Sequence, residues 1–444
     1  MKFLANQHWL TLATSLILVT GFSTLATERP VDFSKPAWLT ECSLGLKESY
    51  DNNVFLSGVN HPPAYTVPAG SVAALKDAAS WITTVSPKIG VNFASLWGAT
   101  NGQPQLALTY APDFVLYHDQ TSESYNAHRL LTTAKAGNDF ATVNAENQFT
   151  YVDGNDSGPL YPGNFYSGFG TIFDRARREQ VLETGSCSLQ LNYGNMFFRA
   201  AAAWIYNDMM TRLDTTAGYQ NYADRADVNG GADLGYKLTD DFAATLGYRY
   251  GQQYQQQYSF STYCSDNRYQ RVLIGFEGKP WSWLTLKFTG GPDFRNYAQT
   301  APVNHSHLTE YYGEGQATAT FSERDSVTFK YKYWQWLAGT GKVPYTDSAY
   351  ELNYHRKLTD ALGLDIGGKM LSWDFDDVRA TVCRRCDQQY SATIGFTYTL
   401  SSHVTVNASW TLDFGRNAEE NPNFDPQTRE FDRQLVSIGT QIKF

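Results

Sequence analysis

Charge is what this 444-residue chain has least of. Only 18% of its residues are Asp, Glu, Lys or Arg, against about 25% in an average soluble domain. An excess of positive charge is also missing, since 35 Lys and Arg stand against 44 Asp and Glu, a formal charge of −9. A general nucleic-acid binder needs a basic field to meet phosphates, so that class is excluded. Long apolar runs are missing too. A spanning helix needs about 20 consecutive apolar residues, and the best stretch, Trp9 to Phe22, is too short. Cysteine is scarce, five in all, so at least one stays unpaired in any disulfide scheme. There is no P-loop or dinucleotide fingerprint, and no cofactor is expected. What is abundant is aromatic rings. There are 29 Tyr, 26 Phe and 11 Trp, 15% of the chain, yet the mean hydropathy is −0.41. Disordered chains are poor in aromatics, so this is a folding sequence whose polarity comes from Gly, Asn, Gln, Ser and Thr.

The short apolar stretch has another meaning. It follows Lys2 and precedes Thr24-Leu25-Ala26, the charged, apolar and small-residue regions of a secretory signal peptide. Residues 1–26 are therefore expected to be cleaved, which removes Lys2 and takes the charge from −9 to −10. A lipoprotein is not indicated, because Cys42 follows Glu41 and lies far beyond Phe22.

From Ser43 onward the dominant signal is period two, the mark of strands. Val404, Val406, Ala408, Trp410, Leu412 and Phe414 oppose Thr405, Asn407, Ser409, Thr411 and Asp413. Tyr390 to Leu400, Leu362 to Met370, Leu284 to Phe288 and Phe242 to Tyr250 repeat the figure. Glu183 interrupts one apolar face, and Tyr125 to Lys135 barely alternates. Connections alternate as well. Short ones such as Tyr193-Gly194-Asn195, Thr239-Asp240-Asp241 and Thr359-Asp360-Ala361 exchange with long polar ones such as Asp51 to Ser80, Asp153 to Arg177 and Asp374 to Asp387. Short turns at one end and long loops at the other predict an all-β fold, a transmembrane up-and-down antiparallel barrel of about 18 strands. Only alternate residues of such a wall face lipid, so negative mean hydropathy is no obstacle.

The expected organisation is a signal peptide over 1–26, a short periplasmic segment over 27–41 and an outer-membrane barrel over 42–444. The surplus rings are read as girdles. Trp97, Trp281, Trp283, Phe321 and Phe444 belong to the periplasmic rim, and Trp81, Tyr297, Trp336 and Trp373 to the outer rim. Val436, Ile438, Thr440, Ile442 and Phe444 alternate up to a terminal Phe, which resembles the signature that barrels present to the outer-membrane assembly machinery. The expected partners are outer-membrane lipid, that machinery, and small hydrophilic solutes or polysaccharide. The wall also admits a homo-oligomer.

Ser43-Leu44-Gly45-Leu46-Lys47-Glu48-Ser49-Tyr50-Asp51-Asn52-Asn53-Val54-Phe55-Leu56 resembles the opening of the β-barrel porin type 2 family, in which an acidic residue and Asn precede an apolar pair at the outer end of the first strand. The resemblance implies an outer-membrane pore. Members of such families are often linked with exopolysaccharide secretion.

The polar face predicts the pore lining. Its acids are Asp227, Asp233, Asp293, Glu310, Glu314, Glu351, Asp365 and Asp413. Its bases are Arg249, Arg271, Lys287, Arg295, Lys330, Lys332, Lys357 and Lys369. Such residues set ion preference in a wide barrel or bridge neighbouring strands. No ladder of one sign appears, so strong ion selectivity is not predicted. Tyr312, Trp334 and Trp336 are read as girdle residues before sugar-stacking ones. Cys383-Arg384-Arg385-Cys386 lacks the second ligand pair that zinc needs, and a disulfide, local or reaching Cys264, suits an oxidising compartment better. His305-Ser306-His307 contains hydrolase residue types but reads as a polar loop, and no catalytic or metal site is expected. The loop Asp51 to Ser80, with its prolines, is a candidate constriction. The leading expectation is solute passage across the outer membrane. An exopolysaccharide export pore, a structural or adhesive surface barrel and an outer-membrane hydrolase follow in that order.

Overall fold

The computed structural model describes residues 36–54, 56, 79–97, 105–154, 177–210, 222–257, 264–339, 344–375, 385–419 and 430–444. The signal peptide, Cys383 and most of the loop Asp51 to Ser80 lie outside them. The alternating segments pair into one antiparallel sheet that closes on itself. Its strands are β1 Leu39–Asp51, β2 Ser80–Asn92, β3 Gln105–Tyr110, β4 Asp113–Tyr117, β5 Tyr125–Gly137, β6 Ala141–Asp153, β7 Gln180–Tyr193, β8 Met196–Asp208, β9 Arg225–Thr239 and β10 Phe242–Gln255. They continue as β11 Asn267–Trp281, β12 Leu284–Tyr297, β13 His307–Thr320, β14 Asp325–Leu337, β15 Pro344–Lys357, β16 Leu362–Asp374, β17 Arg385–Thr399, β18 Val404–Glu419 and β19 Phe431–Lys443.

These nineteen segments make eighteen staves, because β3 and β4 share one. Both pair with β2, and the ladder is interrupted where Ser86-Pro87-Lys88 faces Ala111-Pro112. Two prolines opposite each other remove two N–H donors from one stretch of wall. Ser86 Oγ donates to Asp113 across the gap at 2.5 Å. The sheet closes where β1 meets β19, in register from Ser43↔Lys443 to Asp51↔Leu435. Phe444 N donates to the Cys42 carbonyl at 2.9 Å, so the C-terminus lies beside the start of β1, at the short-turn end.

Turn chemistry explains why that end is tight. Gly194 takes φ +55 in the two-residue turn between β7 and β8, a conformation that costs glycine little. Asn138 Oδ1 accepts from the Phe140 and Ala141 amides, Thr359 Oγ1 from Ala361 and Leu362, and Ser401 Oγ from His403 and Val404. A stave of 13 residues is about 43 Å long and, tilted by roughly 40°, crosses about 33 Å, enough for the apolar band of an outer membrane.

The molecule is inside-out. Leu234, Leu246, Ile274 and Leu352 stand exposed on the outer face, while the most deeply buried side chains include Arg295, Asp293, Asp51, Gln253 and Asp387. A wall with apolar side chains outside and hydrogen-bonded charge inside is what lipid on one side and water on the other demand.

Candidate functional site: the charged lumen and its strap

Every one of the sixteen predicted lining residues falls on an inward register. The ladder pairs Asp233 with Gly247, next to Arg249, Asp293 with Glu310, Glu314 with Lys332, and Glu351 with Lys369. The structure assembles most of them into mixed-sign clusters. Asp293 Oδ2 accepts from Arg271 Nε at 3.0 Å and from Arg295 Nη2 at 2.8 Å. Asp233 joins Arg249 at 2.8 Å and Arg199 at 3.1 Å, and Arg199 reaches on to hold Glu277 with two bonds of 3.0 and 2.9 Å. Glu351 lies 3.8 Å from Lys330 and 3.4 Å from Lys369. His355 Nδ1 meets Asp365 at 2.8 Å. Asp227 accepts from Tyr269 Oη and Gln253 Nε2, both at 2.8 Å. Asp413 shares Arg433 with Asp51. Lys287 lines the lumen, and Lys357 closes β15 near the short-turn rim.

Arg199, Asp227, Asp233, Arg271, Glu277 and Glu351 of these clusters border a cavity of about 1020 Å³ lined from β3 round to β15; the His355–Asp365 and Asp413–Arg433–Asp51 groups are not part of its lining. Seven Lys and Arg and six Asp and Glu line it, so its charge is close to balanced. Sequence reasoning passed over Arg199, Glu277, Arg433 and Tyr269. Arg199 precedes the run Ala200 to Ala203, where alternation is silent, and Glu277 lies near a turn. For both, the inward register was the available signal.

A strap closes over the outer end of this cavity. β13 and β14 pair from Thr320↔Ser326 to Gly313↔Tyr333 and no further, although β13 begins at His307 and β14 runs on to Leu337. β14 and β15 stay paired to Leu337↔Pro344. The upper β14–β15 hairpin therefore leaves β13 and bends inward. Gln335 and Leu337 belong to the outward register, yet they are buried, 4% and 0% exposed. The β9–β10 part of the wall holds the strap by its backbone carbonyls. Gln253 Nε2 donates to the Gln335 carbonyl at 3.0 Å, Arg225 Nη1 to Leu337 at 2.7 Å, Gln255 Nε2 to Ala338 at 2.9 Å, and Ala223 N to Gly339 at 2.7 Å. Beside this contact, just before β9, burial pushes the Asp224 carboxyl above its ordinary pKa, with the Met209 amide opposing and Asp208 adding to the rise.

The strap corrects three assignments at the outer rim. Tyr297 and Trp336 are buried at 7% each, and Trp373 lies on the inward register, packed against Phe375 and Ala338. Tyr312, Trp334 and Trp336, read as girdle residues, instead form one interior cluster with Leu273, Trp334 and Trp336 stacking at 4.7 Å. A rim aromatic and a lumen aromatic differ by one step of register and by where the strand bends. Trp81 keeps its outward place beside Tyr50. At the periplasmic rim Trp281, Trp283 and Phe321 form an exposed stack, with Phe444 also exposed, while the Trp97 side chain lies outside the described residues.

Other candidates resolve more simply. Cys264 Sγ donates to the Gln255 carbonyl at 3.3 Å. Cys386 is the second residue of β17, with Sγ 3.6 Å from Ser372 Oγ, and its partner in the expected pair, Cys383, is outside the described residues. His307 Nδ1 bonds Asn296, and the Ser306 carbonyl accepts from Tyr297 N, so this segment serves as a β12–β13 turn. Among the described residues no group of His, Cys, Asp and Glu is arranged to hold a metal. Glu183, the break in an apolar face, does face outward. Its Oε1 accepts from Asn147 Nδ2 and Trp204 Nε1, both at 3.2 Å.

A closed eighteen-stave antiparallel barrel with an apolar outside and a polar, cavity-bearing lumen is a porin-type transmembrane barrel. Among solved structures the chain is similar to Pseudomonas aeruginosa OpdO, at 14% identity and TM-score 0.43, over 91% of this chain and 97% of that one. It is similar also to P. aeruginosa OccK2 (OpdF), at 12% and 0.45 over 91% and 98%, and to Acinetobacter baumannii OccAB3, at 13% and 0.41 over 91% and 99%. No protein-family model matches the chain, and no curated protein matches it.

Proposed function

We propose that this protein is an outer-membrane channel that gives small hydrophilic solutes passage through its lumen. The observation that carries the reading is the cavity of about 1020 Å³, polar and nearly charge-balanced, inside a wall whose outer face is apolar. A polar solute exchanges its hydration for lumen side chains that are already ionised and held, while the lipid-facing surface keeps the barrel in the bilayer. The signal peptide over 1–26 and the C-terminal Phe444 fit export and recognition by the barrel assembly machinery. The strap weighs against polymer export, because an extended polysaccharide would have to displace a hairpin held by four hydrogen bonds. The test is the full-length protein in planar bilayers and in liposomes. Stepwise conductance and osmotic swelling with small uncharged solutes are expected. A protein that assembles, as judged by heat-modifiable electrophoretic mobility, but neither conducts nor admits solutes would end the channel reading.

A further inference from the structure

Two arginines flank Asp293, and they are used very differently. Arg295 is 1% exposed and saturated: Nε and Nη2 donate to Asp293, and Nη1 to Gln253 at 2.9 Å and Asn267 at 3.0 Å. It does not border the cavity, and its work is to fasten β12 to β10 and β11. Arg271 is also buried, 5% exposed, but only Nε is engaged, on Asp293. Its Nη2 is buried without a partner, and the residue lines the cavity. A guanidinium has five N–H donors in a planar fork that matches an oxyanion, and leaving a buried donor unmet is costly. The group is also held still. The Tyr269 and Tyr312 rings lie 4.1 and 4.0 Å from its central carbon, which fixes its plane and leaves its edge as the direction of binding. Lys332 adds a second cation on the same cavity, over the Trp334 ring at 3.8 Å. The acids nearby do not cancel Arg271. Asp293 is shared with Arg295, Asp227 is taken by Tyr269 and Gln253, and Glu314 faces Lys332 across the ladder.

We propose that Arg271 is a docking position for the oxyanion of small anionic solutes crossing the lumen, and thereby a specificity-determining residue; the inference rests on the channel reading above. Just beneath the strap, such a solute exchanges water for the fixed edge of one guanidinium. Near-balance of charge along the rest of the cavity lets it leave again, as conduction requires.

The experiment compares a matched pair, lactate and its neutral amide lactamide, in swelling of liposomes that carry the full-length barrel. Wild type is expected to admit lactate faster relative to lactamide than Arg271→Gln does, the ratio dropping about tenfold on losing a charged hydrogen bond. Arg271→Lys keeps the charge beside Asp293 but removes the fork, and an intermediate ratio is expected. It also serves if Arg271→Gln does not assemble. Equal ratios in wild type and in whichever variant shows heat-modifiable mobility would overturn the anion site while leaving the channel intact. Exclusion of both solutes by wild type would overturn the channel reading itself.

Discussion

Asp51 shows how a residue that reads as a motif letter does its work through distant partners. In the segment that resembles the porin type 2 opening, its carboxylate accepts the Asn53 amide at 2.9 Å and binds Arg433 through Nε at 3.1 Å and Nη2 at 2.7 Å. Asn53 Nδ2 donates to the Asp432 carbonyl, and Asn52 Oδ1 accepts from Gln434 N. Val54, 2% exposed, packs with Ile82, Val115 and Tyr117. The acidic residue and the asparagines thus clasp the outer end of the β1–β19 seam, where the barrel shuts. Asp51→Asn removes the charge that Arg433 leans on and leaves only Asp413 for it. A loss of about 2–3 kcal/mol is expected, seen as a lower temperature for the heat-modifiable transition with unchanged conductance. An unchanged transition would mean that the clasp is not what holds the seam. The inward register of the sixteen candidate residues was legible because side-chain alternation is local. Their partners were not: Asp51 and Arg433 are 382 residues apart, and no pattern along a strand reports a contact made by closing a circle.

At the scale of elements, the strap is the part that departs from a regular barrel. Alternation put Lys330 and Lys332 on the inward face of β14 and Trp336 at the outer rim, but Trp336 and Leu337 keep their period while the backbone turns inward. Gly313 marks the last position at which β13 pairs with β14, where a Cβ would lie 3.0 Å from ring atoms of both Tyr311 and Tyr331. The loop Asp51 to Ser80, a candidate constriction, is outside the described residues apart from its ends, whereas the β14–β15 hairpin reaches β9 and β10. Gln255 is the cleanest handle on this contact, since Nε2 holds the Ala338 carbonyl at 2.9 Å and Oε1 accepts from Ser265 N at 3.1 Å. Gln255→Ala removes about 1–2 kcal/mol of hydrogen bonding. Single channels of this variant are expected to be larger and noisier than wild type. Conductance identical in size and noise would show that the strap does not restrict flow.

For the whole molecule, the inside-out burial sets which substitutions matter. Leu246 is 55% exposed on the outer face of β10, and Thr245 beside it lines the cavity. Leu246→Arg places a charge in lipid, at a cost of about 2–4 kcal/mol near the bilayer midplane, and a reduced yield of folded, heat-modifiable protein is expected. Thr245→Arg adds its charge to water beside Asp233 and Glu277, and is expected to fold and to shift ion preference toward anions in a salt gradient. Equal folding yields for the two would contradict the assignment of faces.

The amino-acid sequence by itself determined the faces and the ends. Period two sorts each side chain to lipid or lumen, and the turn residues sort short connections from long ones, both through interactions within a few residues. Stave number followed from counting these, with the β3–β4 break legible only as Pro112. The tertiary structure alone decided which charges meet, that every nitrogen of Arg295 is engaged while Arg271 Nη2 has no partner, and that one hairpin leaves the wall and bends inward. Those outcomes depend on curvature and closure of the sheet, which bring the end of β14 to β9 and β10 and β19 against β1. The low charge of the chain follows from the same geometry, since only the residues that face inward have water or an ionic partner to stabilise them.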